Sequence, residues 1–422
     1  MKPRTLKRFT TLLTLVTLTL SSAQAQAATT LTIFMGSQQR PEIFNPLFAK
    51  FEKANPDIKI KLETGGATSE AQNQYLTTVL AAKDSSLDIF LVDIVRPATF
   101  AAAQWAEPLD GYFKSAADKK GFLDGFLAGP IGGGTVGGKL YSLPAFTDSQ
   151  FLYYRKDLLE KYGAKVPKTW DELVATAQKI TKAEGGDLQG FNFQAAPIEG
   201  TVCNFLELFW SAGGDISKGV NTAAGKQGLG FLVDSIGKYN ISPKSMAESK
   251  TDDSRKLFQS GKALFGLNWS YAWAHFQGKS PDPTLVAGKV GVAKIPVFGK
   301  NPSSTCTGGW QWSINAFGKQ KEAAFKLIRY LSSSDSGRDM AVNGSYLPAR
   351  KALYNNSAVL KANPHFVALY PAVIKARPRP VSANYPKISE IIRTQVNAAV
   401  GGSKTVDAAL EQMQKELDGV LK

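Results

Sequence analysis

The chain has 422 residues, 43% of them hydrophobic and 20% charged, which excludes a disordered segment and leaves room for two or more domains with their own cores. Its formal net charge is +15. Lys and Arg are scattered rather than run in blocks, so a solvated basic surface accounts for the charge and no nucleic-acid partner is expected.

Residues 1–27 read as a secretory signal peptide. Lys2, Arg4, Lys7 and Arg8 precede an apolar run over 12–20, and Ala25-Gln26-Ala27 fits an A-x-A cleavage site. The run is too short to span a bilayer, and no cysteine stands near the cleavage site to take a lipid. No second long apolar stretch follows, so the mature protein is expected to be exported and soluble. Its two cysteines, Cys203 and Cys306, permit one disulfide there; two buried thiols are the alternative.

Residues 30–35 predict a strand, 36–41 a polar turn and 43–55 a helix with Phe44, Leu47, Phe48 and Phe51 on one face, ended by Pro56. Residues 58–62 alternate as a strand and 74–82 read as a helix. Residues 87–93 form an apolar run closed by Asp93, as expected of a buried parallel strand. Strands alternating with helices predict an open α/β sheet, with ligands beyond the carboxyl ends of the strands. The segments 36–40 and 93–96 fall there.

The glycine-rich run 132–139 fits a dinucleotide fingerprint and nearly fits a phosphate loop. Both need a following helix to receive phosphate. An extended, proline-ended stretch follows instead, so strand–turn–strand is expected. Further on, strands are expected over 151–155, 263–267 and 290–295. Thr169 and Glu172 form a capping box for a helix with Leu173, Ala177 and Ile180 inward. Other helices are expected over 156–162, 205–212, 225–239, 254–261, 321–331, 385–400 and 405–421.

The two histidines, His275 and His365, stand far apart, and there is no H-E-x-x-H, CxxC or G-x-S-x-G. Neither a zinc site nor a serine hydrolase is expected. Sugar-binding chemistry fits better. Sugars need aromatic plates for their C–H faces, and acids, amides and guanidinium groups for their hydroxyls. Such residues recur at loop positions next to strands. Asp93 closes one strand, Phe146 and Asp148 follow Pro144, and Glu199 and Asn204 share one segment. Trp269 and Tyr271 follow Leu267, Gly309 and Trp310 precede an apolar run, and Arg377 and Arg379 lie in a proline-stiffened stretch. Singly, each has a plainer account: Asp93 as a helix cap, the tryptophans as core, Glu199 and Arg379 as surface charges. Their recurrence favours a binding site. A secreted carbohydrate-active enzyme using two of these acids is the alternative. A polyamine site would be richer in acids, and an iron-chelate site would show Tyr and His clusters.

The order of motifs is specific. It runs through GKLYSLPAFTDSQFLYYRKDLLEKYG from Gly138, PKTWDEL from Pro167, EGTVCNFLELFWSAGGD from Glu199 and ISPKSMAESKTDDSRKLFQSGKALFGLNWSYAW from Ile241. GKVGVAKIP from Gly288, GGW at Gly308, LPARKALYNN from Leu347 and ARPRPVSANYP from Ala376 complete it. Over about residues 30–422 the chain resembles extracellular solute-binding protein family 1, the maltose-binding-protein-like receptors of ABC sugar importers, and within it the trehalose/maltose-binding branch.

The resemblance implies an α/β, two-lobed periplasmic-binding-protein-like fold of type II, with the ligand cleft between the lobes. Residues 28–147 and 313–345 would form the N-terminal lobe, and 148–312 and 346–422 the C-terminal lobe. Hinge crossings would fall near 147–151, 308–312 and 344–348. Matched by motif, Asp93, Asp148, Glu199, Trp269, Gly309, Trp310 and Arg379 are the implied sugar contacts, with Phe146 a further plate and Asn204 and Tyr271 looser matches. The first-lobe loop lacks the family's Gly-rich turn with an acid, so Gln39, Arg40 and Glu42 compete for that place. Arg96 stands where an aromatic is usual. The implied function is an exported, monomeric, non-catalytic receptor without a cofactor. It would capture a glucose-containing mono- or disaccharide, such as trehalose or maltose, and deliver it to membrane permease subunits. A Cys203–Cys306 disulfide is expected, since each lies beside a site motif.

Overall fold

The computed structural model describes Met1 and residues 28–421; the expected leader over 2–27 lies outside the described residues. The first strands, β1 (Thr29–Met35), β2 (Ile58–Thr64) and β3 (Ile89–Asp93), are parallel, with β1 between the other two. Helix Pro41–Ala54 joins β1 to β2 and buries Phe44, Leu47, Phe48 and Phe51. Every residue of β3 is buried, because helices cover both faces of the sheet.

The glycine run divides. Gly132–Gly134 end a short helix, Ala128–Gly134. Only then come β4 (Thr135–Val136) and β5 (Lys139–Leu140), an antiparallel pair turning at Gly137 and Gly138. Strand β6 (Leu143–Asp148) follows, so the extended stretch expected after the glycines is present.

The chain passes at Ser149 from β6 to β7 (Gln150–Arg155), which belongs to a second sheet. That sheet gains β8 (Gln189–Asn192), β9 (Ala263–Trp269) and β10 (Val290–Ala293). Then β11 (Gly308–Ile314) returns to the first sheet. The orders are β2-β1-β3-β11-β6 and β10-β7-β9-β8. Each sheet has its own core. Leu31, Phe44, Trp312 and Ile328 pack on the first, and Leu152, Trp170, Phe205 and Ile392 on the second. The Thr169–Glu172 capping box closes with both hydrogen bonds at 3.2 Å.

Three elements differ from the sequence reading in ways that shape the site. The buried helix begins at Glu199, not at 205, and every residue of Glu199–Ser211 is buried. Glu199 and Asn204 are therefore helical rather than on a loop. Strand β9 runs on to Trp269, and β11 takes in Gly308, Gly309 and Trp310. Polar and glycine residues mask these starts and ends, and the hydrogen bonds that fix them come from distant strands. Cys203, on this helix, is bonded to Cys306, just before β11, with Cα atoms 5.7 Å apart.

Candidate ligand-binding site

Strand direction brings the candidate residues together. Strand β11 runs antiparallel to β3 and β6, so its first residues lie at their carboxyl ends. Trp310 pairs with Asp93 on β3 and with Phe146 on β6. The close approach needs glycine. A Cβ on Gly309 would stand 2.6 Å from the Phe146 carbonyl oxygen, and the residue's φ is +123°. A Cβ on Gly308 would stand 2.5 Å from the Trp269 ring, at the end of β9 in the other sheet. Two residues further, Trp312 is fully buried, edge-on to Phe44 with ring centres 5.7 Å apart. It is core, whereas Trp310 is partly exposed.

Between the sheets lies a cavity enclosing about 640 Å3 of empty space, open solvent at its mouth included. Gln39 lines it from beyond β1, Asp93 from the end of β3, and Phe146 and Asp148 from β6. Gly309 and Trp310 line it from β11, Trp269 and Tyr271 from the end of β9, Glu199 from its helix, and Arg379 from the proline-rich segment. Phe146 is stacked on Tyr346, with centroids 4.2 Å apart. The Tyr271 hydroxyl donates to Asp252 Oδ1 at 3.3 Å.

Arg40 and Asn204 are not on this lining. The Arg40 guanidinium donates to Glu42 at 2.9 Å and to the Gly344 and Lys279 carbonyls at 3.4 and 3.3 Å. Asn204 is fully buried. Its carbonyl accepts from the Gln194 N–H at 2.8 Å and its amide donates to Gln150, so it braces the helix against the second sheet.

The charged groups form one buried network. Arg379 donates to Glu199 at 2.8 Å and to Asp93 at 3.0 Å. Arg96 donates to Glu199 at 3.4 Å, Tyr385 at 2.6 Å, and Ser389 also donates to it. Burial alone would raise the Glu199 carboxyl; the cations Arg379 and Arg96, with the two hydroxyls, overcome burial and hold it below the usual range. Asp148 lacks such a cation. Burial pushes it up to about 7, although Ser149 and Ser270 N–H groups donate to its Oδ1 at 2.8 and 3.0 Å.

The sequence reading passed over several lining residues, among them Thr68, Ser69, Glu70 and Tyr346. The helix expected over 74–82 starts at Ser69. Thr68 is its N-cap, accepting from the Ala71 N–H at 3.2 Å, and Glu70 is the acid in its first turn. This cap-then-acid pattern was the available signal. Among the described residues, no group of three or more His, Cys, Asp or Glu converges as a metal site, and no helix is long and apolar enough to cross a membrane. Aromatic faces beside hydrogen-bonding acids and an arginine suit a neutral, hydroxyl-rich solute.

Residues 36–338 match the bacterial extracellular solute-binding protein family. The chain belongs to that family, which supplies the solute-binding components of ABC importers. It is 34% identical over 374 residues to a probable ABC transporter-binding protein of Deinococcus radiodurans, covering 85% of this chain and 86% of that protein. Maltose-bound MalE3 from T. maritima is 37% identical, spans 93% of this chain and all of its own, and superposes with a TM-score of 0.86. A solute-binding protein from Thermotoga lettingae bound with α-D-tagatose is 26% identical, covers 94% of this chain and 100% of its own, and has a TM-score of 0.83. The architecture is thus the two-lobed periplasmic-binding-protein-like α/β fold, and the family and the solved relatives are solute-binding proteins.

Proposed function

We propose that this protein is exported after cleavage near Ala27, captures a glucose-containing mono- or disaccharide, and hands it as a monomer to the permease subunits of an ABC importer. Trehalose and maltose are the foremost candidates. The observation that carries the reading is one cavity where Trp269, Trp310 and Phe146 meet Asp93, Asp148, Glu199 and Arg379. The rings pack on apolar sugar faces, the acids accept from hydroxyls, and Arg379 donates. Support comes also from the maltose-bound relative.

In this reading residues 28–147 with 313–345 close on 148–312 with 346–422. The crossings lie near 147–151, 308–312 and 344–348, and β11 counts with the first sheet from Gly308. Closure is a hinge motion around the sugar. Isothermal calorimetry with maltose, trehalose and tagatose tests it. Saturable binding of at least one sugar, unchanged after prolonged incubation, is expected. No heat and no thermal shift from any of them would overturn the reading.

A further inference from the structure

Three buried polar atoms on the first-sheet side of the cavity have no hydrogen-bond partner: Gln39 Oε1, Ser69 Oγ and Glu70 Oε2. All three residues line the cavity. Gln39 is 2% exposed and Ser69 8%. Buried polar atoms are nearly always paired, and leaving them unpaired is costly. Three together on one lining leave this part of the cavity open to hydrogen bonds from a ligand.

Glu70 Oε1 is committed elsewhere. It accepts the backbone N–H of Glu199 at 2.7 Å and lies 3.6 Å from Arg393 Nη1. That N–H opens the helix Glu199–Ser211, whose N-cap residue, Ile198, contributes no capping side chain. A helix start favours an acceptor and a negative charge. Here both come from a carboxylate 129 residues away in sequence, on a helix that packs with the first sheet's strands, Leu76 and Leu80 sharing a core with Phe34 and Phe90. One carboxylate thus touches both sides of the cavity.

We propose that Glu70 both reads the solute and couples its presence to closure: Oε2, with Gln39 Oε1 and Ser69 Oγ, accepts from solute hydroxyls, while Oε1 caps the helix that carries Glu199. The inference rests on the sugar-capture reading and sharpens it. Two of the three open positions are pure acceptors, so the solute end they meet is neutral and rich in O–H donors. A carboxylate or phosphate there would face Glu70 and be refused.

The test is calorimetry of the full mature chain with maltose, trehalose and tagatose, for the wild type, Glu70→Gln, Glu70→Ala and Ser69→Ala. Small-angle scattering with and without saturating sugar reads compaction. Whichever sugar the wild type binds should bind at least tenfold more weakly to both Glu70 variants and severalfold more weakly to Ser69→Ala. Sugar-induced compaction should shrink in Glu70→Ala but persist in Ser69→Ala. Unchanged affinity in Glu70→Gln and Glu70→Ala overturns the contact, and undiminished compaction in Glu70→Ala overturns the coupling. If Glu70→Ala does not fold, Glu70→Gln, close to isosteric, carries both readouts. A wild type that binds none of the sugars sinks the sugar reading itself. The cap is then read from hydrogen exchange of the Glu199 amide in the ligand-free protein: faster exchange in Glu70→Gln supports it, and equal exchange overturns it.

Discussion

The cavity has two sides built by different physics. On one, Trp310, Phe146 and Gly309 stand together because backbone ladders put them there. On the other, Glu199, Arg379 and Tyr385 come from separate segments and, with Asp93 and Arg96 at the end of β3, are held by one another's charges and hydrogen bonds. The first arrangement survives loss of a side chain, since the ladder remains. The second does not, because each buried charge is compensated only by its partners. The aromatic side should therefore govern affinity, and the charged side should govern stability.

The largest effect should come from Arg379→Ala. It leaves Glu199 and Asp93 without the guanidinium that joins them, where Arg379 is itself 3% exposed. Breaking a buried pair from one side costs about 3–5 kcal/mol. Urea unfolding should show a loss of that size, and a loss nearer to that of a surface pair would erase the contrast between the two sides. Next comes the disulfide, which ties the helix carrying Glu199 to the start of β11 and so joins the two sides. Replacing Cys203 and Cys306 together by Ser should cost about 2–4 kcal/mol, seen as a lower urea midpoint. An unmoved midpoint would mean the sides hold together without the cross-link.

The same division explains what could be read in advance. The β1–β3 region was legible because its signals are local: Phe44, Leu47, Phe48 and Phe51 recur at helical spacing, and Asp93 closes an apolar run. The Thr169–Glu172 cap was legible for the same reason. On the charged side Asp93, Glu199 and Arg379 are candidates in the sequence, but their joining into one network is not legible, since Glu199 meets Arg96, Arg379, Tyr385 and Ser389 from segments far apart in the chain. Asn204, a looser motif match, and Arg40, one of three candidates for the first-lobe loop, are held by partners at Gln150, Gln194, Gly344 and Lys279 and are not on the lining. Glu70 falls before the helix expected over 74–82, which in fact starts at Ser69. Helices Ser334–Gly344 and Ser357–Ala362 escaped likewise, one being rich in Ser, Asp and Gly and the other very short.

Trp269→Ala probes the aromatic side. The ring lines the cavity and lies against Gly308. Losing a stacked aromatic plate should weaken sugar binding by more than about tenfold, while the unfolding midpoint moves less than for Arg379→Ala. Unchanged affinity by calorimetry would remove the aromatic side from recognition. A destabilisation as large as that of Arg379→Ala would merge the two sides into one.

Asp148 sits where the two sides meet, acidic but without a cation, and it gives the smallest effect. Burial raises its carboxyl from the usual 3.8 to about 7. A raised acid favours the native state when protonated. Its contribution to stability is therefore complete below the unfolded value and is lost as pH rises through about 7. A sugar hydroxyl donating to this carboxylate favours the charged form and works against that loss. Affinity should therefore rise roughly three- to tenfold between about pH 6 and 8, then level off. Asp148→Asn should therefore flatten the rise. Calorimetry across that range separates the cases. A flat wild-type profile would mean that no hydroxyl reaches Asp148, and recognition would then fall to the aromatic plates and the opposite acids.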